Sequence, residues 1–400
     1  MRYNRVVTRG ELDRAVGVSG AVLMGLGSIL GTGIFVSVGI ATGIAGPAVL
    51  IAIAIAAAVA ICNGLSSAQL AASHPVSGGT YEYGYRYLSR PFGLVAGWTF
   101  LLAKSASAAT AALGFAGYIL AAFDVANRPL QIAIAVALVV AITAVVAGGI
   151  ARTSRANAAI VGATLVGLVA FVVTNIPSID SRHFQFDGID PVTVLHAAAL
   201  MFVAFAGYGR IATLGEEVRD PARTIPRAIV IALVATLALY AAVVVVGVGA
   251  IGAPAFAATS APLEAAAPGS VRYVVAVAAV TAMAGVLLNL ILGLSRVVLA
   301  MGRRGDLPRT LATIDARKSP RHAILVTGAA IALLALVGNV RTTWSFSAFM
   351  VLLYYAITNL AALRLPAEHR RFPRVIAALG LAACMALAAF VAYAVITAWT

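Results

Sequence analysis

The stretch from Gly25 to Gly33 constrains the fold of this chain more than any other. It has four glycines in nine residues and lies in a segment, Val16 to Tyr81, that contains no Asp, Glu, Lys or Arg. An uncharged segment of this length is typical of membrane-spanning helices. Each glycine inside a helix is less favourable than alanine by about 1 kcal/mol, so this composition disfavours one continuous helix.

Irregular backbone inside a bilayer is tolerated only where it lines a cavity or is buried in protein. The glycine-rich stretch therefore predicts a first helix that is broken at mid-membrane, with unpaired N–H and C=O groups at the break. The N-terminus of a half-helix attracts a carboxylate, and free carbonyls attract an ammonium group. Such a break suits an amino acid as ligand.

The composition places the chain among the all-α polytopic membrane proteins. Its residues are 62% hydrophobic and only 10% charged, and the mean hydropathy is +1.00, which excludes a soluble globular domain. Long unbroken apolar runs argue against a transmembrane β-barrel. Cys62 and Cys384 both lie in apolar runs, and the five histidines are scattered. We therefore predict no disulfide, no metal site and no cofactor.

Eleven membrane spans are predicted, at about 17–43, 46–72, 92–123, 129–150, 156–176, 193–215, 227–252, 272–301, 322–340, 343–364 and 374–398. The basic residues follow this topology, because the loops on the side opposite to the N-terminus hold only Arg128, Arg182, Arg272 and Arg341. The net charge of +14 therefore indicates a cytoplasmic N-terminus and not a nucleic-acid partner. We predict a multi-pass protein of the cell inner membrane, without a cleavable signal peptide.

A second glycine-interrupted stretch, 203–209, lies about as far into the sixth span as Gly31 lies into the first. Two such interruptions five helices apart indicate an inverted repeat of helices 1–5 against helices 6–10. The predicted organisation is a single transmembrane domain, 1–400, with repeat one at about 17–176, repeat two at about 193–364 and an extra helix at about 374–398. The alternative is that these glycines only allow close helix packing.

Four stretches together resemble the amino acid–polyamine–organocation superfamily, particularly its cationic-amino-acid-transporter-like bacterial permeases. They are GSILGTGIF at 27–35, PVSGGTY at 75–81 with Gly97-Trp98 after it, GEEVRDP with RTIPRA at 215–228, and SRV with GDLP at 295–308. The resemblance implies a LeuT-like five-plus-five fold with discontinuous helices 1 and 6, and transport of amino acids or related amines. Family members usually have twelve helices, whereas eleven are predicted here.

The resemblance also implies a substrate site made largely of backbone groups. The N–H groups around Thr32 and Gly33 would bind the carboxylate, and the carbonyls of Ile29, Val203, Ala204 and Ala206 would bind the ammonium group. The Ser28 hydroxyl either assists or bonds to its own helix. The predicted substrate-binding residues are Ser28, Ile29, Gly31, Thr32, Gly33, Val203, Ala204, Phe205, Ala206, Gly207 and Tyr208. No acidic residue lies in these stretches, which favours neutral amino acids.

Coupling residues are predicted from departures from the family pattern. Many relatives carry a lysine on helix 5, where this chain has Thr164, whereas Lys104 lies on helix 3, about 12 residues past Pro91 and so ~18 Å deep. Because ionisable groups at that depth are usually functional, Lys104 is predicted to be a proton carrier or a fixed positive charge. The alternative is a structural or snorkelling lysine. Thr164 could instead form a sodium site with the middle of helix 8; the alternative is that its hydroxyl only takes part in helix packing.

Arg210 follows the second interruption and lies two helical turns before Glu217. We predict that these residues pair as an inner gate; the other interpretation is that Arg210 recognises an anionic group of the substrate. The predicted function is a secondary active transporter for amino acids, working by alternating access with proton symport or exchange. The alternatives are a non-transporting amino acid sensor, or a transporter of amines or cationic amino acids. Enzymatic activity is not predicted, because no nucleophile, base and orienting group converge.

Overall fold

The computed structural model describes residues 16–74, 78–149, 154–186, 188–212, 218–315 and 319–397. Within these residues, nine helices are long and apolar enough to cross a membrane, and Val18–Ile29 and Arg321–Val337 are shorter apolar helices. One of the nine runs through the second half of the first span and the whole of the second. The described chain therefore has the eleven spans and the all-α polytopic architecture that were predicted.

Helix α1 has two halves, α1a (Val18–Ile29) and α1b, which consists of a π-helical turn (Gly33–Ser37) and Val38–Ala45. Helix α6 also has two, α6a (Pro191–Phe205) and α6b (Gly209–Ala212). The other helices are α2 (Val49–Ser73), α3 (Arg90–Ala122), α4 (Arg128–Ala147), α5 (Ser154–Asn175), α7 (Pro221–Ala257), α8 (Val271–Arg304), α9 (Arg321–Val337), α10 (Val340–Leu363) and α11 (Arg374–Thr397). We call the side where α1a begins the N-terminal face, and the other side the opposite face.

Most helix ends lie within a few residues of the predicted spans, but α7 begins at Pro221, six residues before the predicted start at 227. Its first turns carry Arg223 and Arg227, so the helix extends beyond its apolar part. Pro221 is compatible with this start because the first helical turn needs no N–H from that position. Hydropathy marks the apolar part of a helix and not its full length.

Side-chain caps determine where three helices begin at the opposite face. The Asn127 side chain accepts a hydrogen bond from the Leu130 N–H at the start of α4, at 3.0 Å. Asp190 caps α6a in the same way, and Asn339 forms a capping box with Thr342 at the start of α10. Each cap satisfies N–H groups that have no partner inside the helix.

Helix packing follows the inverted repeat. Helix α3 packs against α10, and its counterpart α8 packs against α5. In the same way α2 packs against α6a while α7 packs against α1, and α4 packs against α3 while α9 packs against α8. In each of these three pairs, every helix of one contact is replaced in the other contact by the helix five positions away. This is the five-plus-five arrangement that the two interruptions predicted.

A polar cluster at the N-terminal face ties the connection between α2 and α3 to the end of α8. The hydroxyls of Tyr81 and Tyr85 donate to Asp306 Oδ2 at 2.7 and 2.5 Å. Arg304 donates to both carboxylate oxygens of Glu82, at 2.8 and 2.6 Å, and its guanidinium lies 4.1 Å from the centre of the Tyr85 ring. These charge-assisted contacts hold the two segments together beside the membrane domain.

Candidate functional site

Helix α1 is broken at the predicted position. Leu30 is the last residue whose N–H donates to the α1a backbone, to the Leu26 carbonyl at 2.7 Å. Its ψ angle of 96° turns the chain out of the helix. Helical bonding resumes where Ile34 and Phe35 both donate to the Gly31 carbonyl, at 3.2 and 3.1 Å. Within the described part of the chain, the N–H groups of Gly31, Thr32 and Gly33 have no hydrogen-bond acceptor. The break therefore leaves three adjacent donors at the start of α1b.

The discontinuity of α6 takes a milder form. Residues Ala206–Tyr208 form a 3₁₀ turn between α6a and α6b. The N–H of Ala206 donates to the carbonyls of Phe202 and Val203, and the N–H of Gly209 donates to those of Ala206 and Gly207. Because 3₁₀ bonding uses carbonyls three residues back, the α6 carbonyls of Val203 and Ala206 already accept hydrogen bonds. The two breaks thus differ: α1 offers free groups, and α6 offers a tightened turn.

Glycines let the two breaks touch. A Cβ atom on Gly207 would lie 2.5 Å from the Ser28 carbonyl oxygen and 2.6 Å from the Ile29 side chain. A Cβ atom on Gly33 would lie 2.4 Å from the Tyr240 hydroxyl and 2.9 Å from the Ala204 Cβ. Only glycine permits backbone to approach this closely. The structure therefore brings the predicted residues of α1 and α6 into direct contact at one place.

Tyr240 on α7 lies at this junction, and the sequence analysis did not identify it. Its hydroxyl donates to the Ala204 carbonyl at 3.0 Å and approaches the Ile29 carbonyl at 3.4 Å, and its ring centre is 5.1 Å from that of Phe205. The side chain is fully buried. A donor hydroxyl thus links two of the carbonyls that were predicted to bind an ammonium group. The only signal in the sequence is a single tyrosine within the long apolar part of α7, whose hydroxyl needs a partner in hydrocarbon.

Helix α10 supports the α6 turn from its other side. The Tyr355 hydroxyl donates to the Ala206 carbonyl at 3.3 Å, and the Tyr355 and Tyr208 ring centres are 5.4 Å apart. Trp344 Nε1 donates to the Leu200 carbonyl at 3.0 Å, six residues before the turn begins at Ala206. These bonds hold the α6 backbone in place beside α1.

Two hydroxyls near the α1 break have different roles. Ser28 donates to the Met24 carbonyl at 3.1 Å in its own helix, which is the alternative considered for this serine. Thr32 is only 4% exposed, and its hydroxyl has no hydrogen-bond partner among the described residues. A buried hydroxyl without a partner is unfavourable, so Thr32 is the hydroxyl that a ligand at the break would satisfy.

Lys104 is half-buried on α3, fourteen residues after its start at Arg90, and so about 21 Å along the helix. The side chain one turn earlier, Phe100, packs against Tyr354 of α10, and Ser107 on the next turn is hydrogen-bonded to Ser347 at 2.7 Å. Lys104 therefore lies on or near the face of α3 directed to α10. Within the described residues, no hydrogen bond or ion pair involves its ammonium group.

The remaining predicted coupling residues are Thr164, Arg210 and Glu217. The buried Thr164 hydroxyl donates to the Ile160 carbonyl in its own helix at 2.8 Å. Asn157, which the sequence analysis did not single out, joins α5 to α1a by donating to the Leu23 carbonyl at 3.0 Å. Arg210 is partly exposed on α6b. Its predicted partner Glu217 lies outside the described residues, so their pairing stays a prediction.

Two cavities open at the opposite face above α1b. The larger, of about 710 Å³, is lined by Thr42, Arg182, His183 and Arg341, and the smaller, of about 270 Å³, reaches Val36 and Gly39 and is lined by Arg128 and again Arg341. Three arginines therefore border these cavities, and none of their lining residues in the described chain is Asp or Glu. Arg182 is paired with Asp180 at 2.8 Å, so the positive charge beside the α1b side of the junction comes from Arg128 and Arg341.

Replacing Tyr240 with phenylalanine is expected to lower the melting temperature of the empty protein. The Ala204 and Ile29 carbonyls would lose a buried donor, and each lost hydrogen bond costs about 1 kcal/mol. An ammonium ligand would then no longer compete with the hydroxyl, so a bound amino acid should raise the melting temperature more in the variant than in the wild type. Tyr273→Phe, which alters a half-exposed ring, is the control. A smaller ligand shift in Tyr240→Phe would contradict this arrangement.

Comparison with known proteins agrees with this architecture. Residues 16–400 match the amino acid permease family. An uncharacterized transporter of Mycobacterium tuberculosis is 46% identical over 387 residues, which cover 94% of this chain and 86% of that protein. The branched-chain amino acid permease BcaP of Bacillus subtilis is 29% identical over 352 residues, 82% of this chain and 76% of that protein. The methylthioribose transporter of the same species is 27% identical over 385 residues, 90% of this chain and 82% of that protein.

The family match extends over nearly the whole chain, including both helix breaks and the four stretches that carried the resemblance. It confirms the predicted superfamily and the multi-pass membrane architecture, and it identifies the chain as a transporter. With the broken helices, the inverted repeat and this match together, the chain is a member of the amino acid permease family, within the amino acid–polyamine–organocation superfamily.

Proposed function

We propose that this transporter carries neutral amino acids across the cell inner membrane by alternating access. The observation that carries the proposal is the junction of the two breaks. Three adjacent N–H groups at 31–33 have no acceptor in the described chain, and the Ile29 and Ala204 carbonyls converge on one hydroxyl. The N–H groups and the Thr32 hydroxyl suit a carboxylate. The two carbonyls suit an ammonium group that displaces the Tyr240 hydroxyl.

The preference for neutral substrates is supported by charge. The cavities that lead toward α1b are bordered by Arg128 and Arg341, which have no ion-pair partner among the described residues, and by Arg182, which is paired with Asp180. A positive rim attracts the carboxylate of an amino acid and repels a second positive charge on its side chain. The buried walls nearest the junction, Ala204 and Phe205, are apolar.

Proton symport is the proposed coupling, with exchange as the second candidate. An ammonium group without an ion-pair partner is unfavourable at membrane depth, and such groups are usually functional. Lys104 is ~21 Å along α3, and the break at Gly31 is ~20 Å along α1 from its start at Val18, so both lie near mid-membrane. We therefore assign the coupling role to Lys104.

The N-terminal face is proposed to be cytoplasmic. Among the described connections, this face carries far more arginine than the opposite face does. Its arginines include Arg303, Arg304, Arg309, Arg364, Arg370, Arg371 and Arg374, against Arg128, Arg182, Arg272 and Arg341 on the other side. Positively charged connections are retained on the cytoplasmic side during insertion.

The proposal is tested with the purified protein in proteoliposomes. Uptake of radiolabelled leucine and alanine is measured with an inward proton gradient, without a gradient, and with unlabelled leucine trapped inside. We expect accumulation that the gradient increases, and competition by neutral amino acids but not by arginine or methylthioribose. Protein-free liposomes give the background.

Each other outcome points to a different function. Stimulation by internal leucine but not by the proton gradient would replace symport with exchange. Competition by arginine would overturn the preference for neutral substrates. A thermal shift with leucine but no flux would favour the non-transporting sensor, because binding alone stabilises the folded state. Uptake of labelled methylthioribose without uptake of amino acids would overturn the substrate class.

A further inference from the structure

The connection between α7 and α8 packs against α1b at the opposite face. This capping segment, residues 258–267, contains the short helix Pro262–Ala266. A Cβ atom on Gly39 of α1b would lie 2.9 Å from Pro262, and one on Gly117 of α3 would lie 2.5 Å from the Ser260 hydroxyl. Ser260 also lines the smaller cavity. The capping segment is therefore one wall of the entrance next to α1b.

A buried acid lies in this segment. The Glu264 side chain is 3% exposed, and neither carboxylate oxygen has a hydrogen-bond partner among the described residues. Its nearest cation is Arg272, whose Nε is 3.6 Å from Glu264 Oε1, which is too long for a hydrogen bond. Arg272 instead donates to Asp124 Oδ1 and to the Ala121 carbonyl, both at 2.9 Å. One arginine is thus shared between two carboxylates, and the buried one has the weaker contact.

The elements around Glu264 add few other charges. Helix α8 contributes Arg272 and Tyr273, and α3 contributes Tyr118, with Asp124 just beyond its end. Helix α7 has no ionisable side chain after Tyr240, and α1b has none. The Tyr118 hydroxyl donates to the Phe35 carbonyl at 2.7 Å, in the first turn of α1b. The surroundings of Glu264 are therefore bonded directly to the half-helix that carries the substrate donors.

We propose that the Glu264 carboxyl group is a proton-binding site that keeps the capping segment packed against α1b. With Glu264 protonated, the charges of Arg272 and Asp124 balance. With Glu264 ionised, Glu264, Arg272 and Asp124 together carry one net negative charge, and the buried carboxylate accepts no hydrogen bond. Moving Glu264 toward water then lowers the free energy of the capping segment. This goes beyond the proposed function, because it assigns control of the entrance to a group outside the substrate site.

The direction of the pH effect follows from burial. Desolvation raises the pKa of Glu264 from 4.5 to about 7, against the opposing effect of Arg272. A lifted segment would have an ordinary carboxyl pKa. Below pH 4.5 Glu264 is protonated in both the packed and the lifted segment, and above about pH 7 it is ionised in both. Between the two values the ratio of packed to lifted segment falls by up to tenfold per pH unit, and it falls about twentyfold in all from about pH 5.5 to about pH 7.5.

Hydrogen–deuterium exchange of peptides covering 258–267 tests this in the full-length protein without substrate. Rates are corrected for the intrinsic pH dependence of exchange and compared at about pH 5.5 and about pH 7.5. The wild type should lose about twentyfold in protection at the higher pH. Glu264→Gln cannot ionise and should keep equal protection at both. Glu368→Gln, the same change at an exposed acid on the N-terminal face, should behave as the wild type.

Two results would overturn the proposal. The first is a wild-type capping segment whose corrected protection does not change with pH, a measurement that needs no variant to fold. The second is a Glu264→Gln protein that keeps the wild-type pH dependence. Because hydrogen–deuterium exchange is measured without substrate, a failure of amino acid uptake would contradict the proposed function but not the proposed role of Glu264.

Discussion

Gly207→Ala is expected to reduce amino acid uptake to the background of protein-free liposomes. The added Cβ would lie 2.5 Å from the Ser28 carbonyl oxygen, which is backbone and cannot rotate away. The α1 and α6 breaks would have to separate, and the substrate groups on each would lose their common geometry. Forcing extra volume into a packed site costs about 1–3 kcal/mol, so the variant should melt earlier yet still fold.

Two other glycines provide matched controls for this substitution. A Cβ on Gly162 of α5 meets nothing within 4 Å, so Gly162→Ala should transport as the wild type does. A Cβ on Gly25 would lie 2.4 Å from the end of the Ile211 side chain, which can change rotamer, so Gly25→Ala should retain a large part of the activity. The proteins are compared by uptake rate per folded transporter and by thermal melting. Equal rates in Gly207→Ala and Gly162→Ala would contradict the contact between the breaks.

Lys104→Gln is expected to abolish the response of uptake to a proton gradient and to lower its rate at least about tenfold. The substitution removes the ammonium group that has no ion-pair partner in the described membrane domain while keeping a similar side-chain length. A residue whose charge lies at membrane depth for a functional reason should not tolerate this change. Uptake is measured against external pH in proteoliposomes. The matched control is Lys318→Gln, which alters the only other lysine of the chain.

Lys104→Arg separates the two roles predicted for this residue. Arginine keeps the positive charge but does not release its proton at any physiological pH. If Lys104 carries the proton, Lys104→Arg should fail as Lys104→Gln does. If Lys104 is a fixed charge, Lys104→Arg should transport while Lys104→Gln does not. Wild-type rates and pH profiles in both variants would leave Lys104 with a structural role only.

The sequence analysis located the break in α1 because its cause is local. Glycines that disfavour a helix, in a segment too apolar to leave the bilayer, predict a discontinuity without any knowledge of neighbouring helices. The same reasoning located the α6 interruption but not its form. Whether the backbone there extends or tightens into a 3₁₀ turn depends on partners such as Tyr355, which bonds the Ala206 carbonyl from another helix.

The sequence singles out unusual residues more readily than it predicts their partners. Lys104 stands out by its charge alone, and the structure places it near the middle of α3, without an ion pair in the described chain. Thr164 was a candidate by its hydroxyl, yet that hydroxyl is bonded within its own helix. Hydropathy and charge identify an unusual residue, whereas hydrogen bonds between helices decide what it can do.

By itself, the sequence determined the membrane class, the eleven spans, the position of both breaks and the inverted repeat, because hydropathy and glycine content act over a few residues of chain. Only the tertiary structure decided that Tyr240 bonds Ala204 and approaches Ile29, which is 211 residues away in the chain. It alone decided that Glu264 and Asp124 share Arg272. Contacts of this kind depend on how helices pack across the molecule, and no local pattern encodes them.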